Sequence, residues 1–341
     1  MRTCIKNTAL HMAICAALAV TACAEAPPSG SASASAPGFN PIITDRFTAD
    51  PAPIVHDGRV YLYVGHDEAG PEDMFRITEW LVYSSDDMRN WQAHGPVMQP
   101  TDFAWAIRDA WASEVQEHDG RFYFYTAVEH DDTHPGKAIG VAVSDSPTGP
   151  FVDARGSALV SNDMTTQADH SWDDIDPTVF IDEDGAAWLY WGNGLLYYAR
   201  LADNMIELDG PIRIAPVLHF EEGPWLHRHD DIYYLTYAGI DPAVSPDEQI
   251  HYSTAPAITG PWTYRGMLTG PATNSFTIHP ATVEFEGQWY LFYHDGTLTI
   301  DGVEGGLGRR AVRVEYLYHE PDGSLRAVEQ TGRGISVPPQ D

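Results

Sequence analysis

The sequence predicts an all-β chain folded as a five-bladed β-propeller, and three observations predict it. Long stretches of helical periodicity are missing, apolar residues come in short runs rich in Val, Tyr, Phe and Trp between Gly, Asp and Asn, and one hairpin-like passage recurs five times. The first two give the fold class; the third selects the architecture.

The five passages are APIVHDGRVYLYVG, SEVQEHDGRFYFYTA, PTVFIDEDGAAWLYWG, PWLHRHDDIYYLTYAG and ATVEFEGQWYLFYHDG. Each holds an aliphatic pair, a turn carried by DG, EDG, HDD or EG, and an aromatic run, which is the pattern of a β-hairpin. Their anchors, Ile54, Val115, Val179, Leu226 and Val283, fall about 61, 64, 47 and 57 residues apart, the size of a four-stranded blade. A second echo, VYSSDDMRNWQ, VAVSDSPTGPF and YSTAPAITGPWTY, supplies the later strands of several units. A two-sheet sandwich would also space its strands evenly, but it offers no reason for five similar hairpins.

Before the repeats, Arg2 and Lys6 precede an apolar run from Ala9 to Ala22 that is too short to span a bilayer as a stable helix, the form of an export signal. Val20, Thr21 and Ala22 before Cys23 resemble a bacterial lipobox, so residues 1–23 are expected to be a lipoprotein-type leader with lipid on Cys23. Residues 24–39, small and rich in Pro, Ser and Ala, have the composition of a flexible tether, and 40–341 form the propeller. An exported protein of the bacterial periplasm or envelope, anchored only through that lipid and otherwise monomeric, is the expectation. Cys4, Cys15 and Cys23 all lie in the leader, leaving the propeller without a disulfide or a catalytic thiolate.

Lys and Arg number 19 against 49 Asp and Glu, a formal charge of -30, which argues against nucleic acid as a partner. A neutral polysaccharide meets no such repulsion. The 10 Trp and 17 Tyr include flat faces suited to sugar rings, although most are expected to serve strands and core.

Innermost propeller strands line a central channel, so equivalent positions of the repeats converge. Three or four residues before the anchors stand Asp50, Trp111, Asp176, Glu222 and His279: three carboxylates, an indole and an imidazole in matching places. Carboxylates on one channel suit glycoside hydrolysis, in which one acid protonates the leaving oxygen and another carboxylate activates water or attacks the sugar. A third acid nearby can raise the pKa of the proton donor. Pro51 and Pro177 fix the chain just after Asp50 and Asp176, and Gly223 and Pro224 do so after Glu222. Scattered surface acids are the competing reading, and the shared register argues against it.

These acidic contexts, in this order, resemble glycoside hydrolase family 43 across residues 40 to 341. The resemblance runs through TADPAPIVHDGRVYLYVGHDEA, RDAWASEV, HPGKAIGVAVSDSPTGPF, DDIDPTVFIDEDG, EEGPWLH and GRRAVRVEYL. It implies a five-bladed propeller that inverts anomeric configuration, with Asp50 as general base, Asp176 tuning and orienting the acid, and Glu222, rather than Glu221, as general acid. It also implies His279 near the axis, where calcium bound through water and a plain core histidine are both open readings, and requires no other cofactor. Trp111 is expected to line the pocket, and Arg309 to reach the first sugar, with Arg310 on the opposite strand face. His66 and Asp67 resemble pocket residues as well.

What the resemblance implies in activity is an exo-acting hydrolase that releases a terminal pentose, β-D-xylose or α-L-arabinofuranose, from hemicellulose such as arabinoxylan. Endo-arabinanase action or a catalytically inactive carbohydrate-binding propeller are the alternatives. Fructan hydrolases place Asn before the first Asp and Asn-Gly after the Pro, whereas this chain reads TADPAP. Sialidases need a cationic pocket, and basic residues are scarce. Only a short Pro-ending tail follows GRRAVRVEYL, so a pocket without a capping β-sandwich, open to branched polymer, is expected.

Overall fold

The computed structural model describes residues 36–70 and 73–340. The expected leader, with Cys23, and tether residues 24–35 lie outside the described residues. Blade I comprises Thr48–His56, Arg59–Asp67, Ile77–Ser85 and Gln92–Met98, paired antiparallel in chain order. Blade II is built on Ser113–His118, Arg121–His130 and Lys137–Ser144, with Ala106–Arg108, Val152–Asp153 and Val160–Ser161 added at its margins. Blade III holds Thr178–Ile181, Ala187–Trp191, Leu196–Arg200 and Arg213–Ala215; blade IV holds Phe220–His229, Ile232–Gly239, Gln249–Ala255 and Thr263–Thr269. Inner strands of successive blades touch in the order I to V and back to I, which closes the ring.

Blade V departs from the four-stranded expectation. Its sheet has three strands, Ala281–Phe285, Gln288–Asp295 and Ala311–Leu317. The chain before blade I completes it: Ile42 N–H donates to Val312 O at 3.0 Å, Thr48 N–H to Arg310 O at 2.9 Å, and Val314 N–H to Asn40 Oδ1 at 2.9 Å. The two ends of the propeller are thereby fastened side by side. Gly38 is also tied to blade I, its N–H reaching Arg89 O at 3.2 Å.

The hairpin turns follow their chemistry. Asp57-Gly58, Asp119-Gly120 and Glu286-Gly287 all have positive φ at both residues, as a two-residue turn compatible with strand twist requires. Behind them, the aromatic runs use both strand faces. In Arg121–His130, Phe122, Phe124 and Val128 pack toward blade I, whereas Tyr123 and Tyr125 pack toward blade III. In Ile232–Gly239, Tyr233, Leu235 and Tyr237 face blade III, and Tyr234 faces blade V. A sheet covered on both sides needs apolar residues at every position, which is why these strands read as continuous runs. Burying a large side chain of this kind contributes about 1.5–3 kcal/mol, so the gaps between blades hold the ring together.

Candidate active site

At one end of the channel lies a cavity of about 690 Å³, lined among others by Asp50, Trp111, Asp176, Glu222 and His279. The five positions selected by the repeat register are therefore gathered in one place. Local backbone geometry aims the acids. Asp50 sits in a bulge of the blade I inner strand with φ 53°, and Asp176 just before the blade III inner strand with φ 57°. Left-handed backbone at a residue other than Gly costs about 1–3 kcal/mol and persists where surroundings impose it. Glu222 lies between two register shifts of the blade IV inner strand. Gly223 follows with φ +58°, and an added Cβ there would come 3.2 Å from His279 Nδ1, so a side chain would be strained in its backbone and crowd the imidazole.

Asp50 lies against one arginine and two imidazoles. Its Oδ1 lies 3.2 Å from Arg310 Nη1, 3.3 Å from His294 Nδ1 and 3.9 Å from His279 Nδ1. Burial pushes this carboxyl up, but Arg310, His294 and His279 together hold it well below the usual range. Asp50 is therefore ionised. Arg310 is itself fixed by Asp67, which takes Nε at 2.8 Å and Nη2 at 3.0 Å, and its backbone N–H at 2.9 Å.

Glu222 has the opposite environment. Burial, reinforced by Asp50, pushes its carboxyl up to about 7, while Asn193 Nδ2, donating to Oε2 at 2.9 Å, opposes that rise. Asp176 is raised by burial and by Glu222 and Asp50, and its Oδ2 accepts the Gly223 N–H at 3.0 Å. It thus grips the backbone of the residue after Glu222. Glu248, also buried and raised, accepts the Ile278 N–H at 2.9 Å. One cavity holds an ionised carboxylate and a proton-bearing one, the pair that general acid and base catalysis on a glycoside needs.

The profile of glycosyl hydrolases family 43 matches residues 39–325. The chain belongs to this family. A Bacteroides ovatus protein named xylosidase/arabinosidase is 31% identical over 84% of this chain and 97% of its own length. A Paenibacillus polymyxa arabinoxylan arabinofuranohydrolase is 29% identical over 87% of this chain and 52% of its own. Among solved structures, a family 43 β-xylosidase/α-arabinofuranosidase from a compost microbial metagenome, crystallised with xylotriose in a calcium-free form, superposes with a TM-score of 0.74. It shares 29% identity and covers 86% of this chain and 98% of its own. The five-bladed propeller and glycoside hydrolase class of the family are those of this chain.

Within this family frame the arginine expectation is corrected. Arg309 lies in a tight turn before the last strand and donates to Glu304 O at 2.8 Å and Ala69 O at 3.0 Å, whereas Arg310 lines the cavity. Both residues lie just before that strand, so the turn's carbonyls hold Arg309 outside while the pairing of Arg310 with Asp67 across the ring seam decides which one enters. Asp67 acts through Arg310, and His66 instead meets Glu79 at 3.0 Å.

Several other cavity residues escaped the repeat register because they sit on loops between strands. Phe75 and Phe276 join the register-selected Trp111 in an apolar wall, with ring centroids 6.2 Å (Phe75 to Trp111) and 6.0 Å (Phe75 to Phe276) apart. Asn193, between two glycines in WGNG, carried the most visible local signal. Glu221 joins the lining, half-buried, beside Gly194.

The residues around His279 make a poor calcium cage. Burial drives this imidazole down to about 4 and keeps it neutral, while the neighbouring oxygens of Asp50 and Asp176 are engaged by Arg310 and by the Gly223 N–H. Among the described residues no group of three or more His, Cys, Asp or Glu converges as a metal site. Calcium takes six to eight oxygens, so the donor set does not fit it without a shell made mostly of water.

Proposed function

We propose that this chain releases a terminal pentose, β-D-xylose or α-L-arabinofuranose, from arabinoxylan-type polysaccharide and its oligosaccharides, with inversion at the anomeric carbon. The observation that carries this reading is the meeting in one cavity of Asp50, braced by Arg310, and Glu222, whose carboxyl burial and Asp50 push up. Asp50 takes a proton from water as the water oxygen bonds to the anomeric carbon. Glu222 gives its proton to the departing glycosidic oxygen as that bond breaks. Asp176 holds Glu222 in place through the Gly223 N–H, and Arg310 keeps Asp50 ionised. Two carboxyl groups and water suffice for this chemistry, and no step needs a cofactor.

The names of the Bacteroides and Paenibacillus relatives support the pentose substrate. The buried floor of Asp50, Asp176, His279 and Arg310 beneath a more exposed rim of Met74, Trp172 and Phe276 supports attack at a chain end. Proton NMR during hydrolysis of an aryl xyloside and an aryl arabinofuranoside tests the scheme: the inverted sugar should appear first, and early retained anomer would overturn it. Faster action on debranched arabinan than on xylobiose would overturn the exo reading. We also propose export to the bacterial envelope with lipid on Cys23, on the strength of the VTAC motif after a short apolar run.

A further inference from the structure

Lys137, on the third strand of blade II, is almost completely buried although it carries a charge, and its surroundings explain where that charge goes. Its Nζ pairs with Asp109 and lies 3.1 Å from Glu129 Oε2 and 3.6 Å from the ring centre of Trp111. Asp109 and Trp111 belong to the same RDAW segment, so the ammonium grips that segment by a carboxylate and by an indole face at once. Asp109 itself has φ 69°, a left-handed backbone. The backbone of Lys137 does a second thing: its N–H donates to Ser171 O at 2.8 Å, and Ser171 lies between His170 and Trp172, whose rings stack at 4.3 Å and 18°. Gly136 leaves room for that approach, since an added Cβ would lie 2.8 Å from the same Ser171 oxygen. Trp111, His170 and Trp172 all line the cavity.

We infer that Lys137 is a positioning residue for substrate, fixing Trp111 by its ammonium and the His170–Trp172 loop by its backbone, so that both aromatic surfaces of the pocket depend on one side chain and one peptide group. This rests on the pentosidase reading for its substrate. Lys137 does not contact the acid and base, so its effect falls on sugar binding and leaves proton transfer alone.

The test is a double-mutant cycle with Lys137→Met and Trp111→Leu, assayed on xylobiose and an aryl pentoside. Lys137→Met should raise KM roughly three- to thirtyfold, the range from an exposed to a desolvated cation over an indole, with kcat within about twofold and both pH limbs unmoved. Lys137→Arg should recover most of the loss. In the Trp111→Leu background, Lys137→Met should add less than about twofold. A fall in kcat with KM unchanged, or additive effects in the cycle, would overturn the proposal. Asp109→Asn, which loosens the ammonium from the other side, should give the same KM-only signature if Lys137→Met does not fold, and a kcat effect there would be equally fatal. Near-UV circular dichroism reads the contact without turnover: Lys137→Met should change the spectrum of the parent and leave that of Trp111→Leu unchanged. If the parent hydrolyses no pentoside yet shows that spectral cycle, the substrate reading fails and the positioning role stands; an additive spectral cycle sinks the positioning role.

Discussion

Asp50 and Asp176 are alike in sequence and backbone, and opposite in charge behaviour. Both are buried, both have left-handed φ, and both precede a proline. Burial raises both, but Asp50 faces Arg310 across the seam between the first and last blades and is held ionised, whereas Asp176 faces Glu222 and Asp50, with a peptide N–H as its hydrogen-bond donor, and stays pushed up. The lesson is that the same residue on the same local frame is held down or pushed up according to the charges on the blade opposite it.

The sharpest way to break this comparison is to remove each proton-handling group. Asp50→Asn should lower kcat/KM by about 10³-fold or more on every pentoside, since water activation is lost regardless of leaving group. Glu222→Gln should cost a similar factor on xylobiose but less than about tenfold on a dinitrophenyl pentoside, whose leaving group departs without a proton. Equal losses on both substrates in the Glu222 variant would remove it as the acid.

The seam comes next in size. Arg310→Lys keeps a charge but loses the fork that holds Asp67 and Asp50 together, and should lower kcat/KM by roughly 10- to 100-fold while moving the acid limb of the pH profile upward. Arg309→Ala should stay within about twofold, and the reverse order would restore Arg309 to the pocket. Asp176→Ala should lose roughly tenfold more activity than Asp176→Asn, because the asparagine carbonyl can still accept the Gly223 N–H. Similar losses would assign Asp176 a role through charge alone.

The smallest effect concerns the basic limb. With Glu222 protonated below about 7, kcat/KM should fall as pH rises through that value. Asn193 donates to the carboxylate and so favours its charged form; Asn193→Ala should therefore move the limb to higher pH, with the maximal rate changed only a few-fold. A downward shift would contradict the geometry of that contact.

Much of this molecule was legible in its sequence. The turns at Asp57-Gly58, Asp119-Gly120 and Glu286-Gly287 and the strands beside them are local features, fixed by backbone sterics and side-chain period, and so the five blades could be read off. The convergence of Asp50, Trp111, Asp176, Glu222 and His279 followed, because repetition around an axis brings equivalent positions together. Arg310, Asn193, Glu248, Phe75 and Phe276 were not legible in that way. They reach the cavity from loops between strands, where no repeat marks them. The choice between Arg309 and Arg310 depended on a contact with Asp67 some 240 residues distant in the chain, and an alternating strand pattern says only that neighbours diverge. By itself, then, the sequence determined the fold and the positions of the three carboxylates, whereas the protonation of each was decided by the tertiary structure, since burial and the charge on the facing blade exist only once the ring has closed.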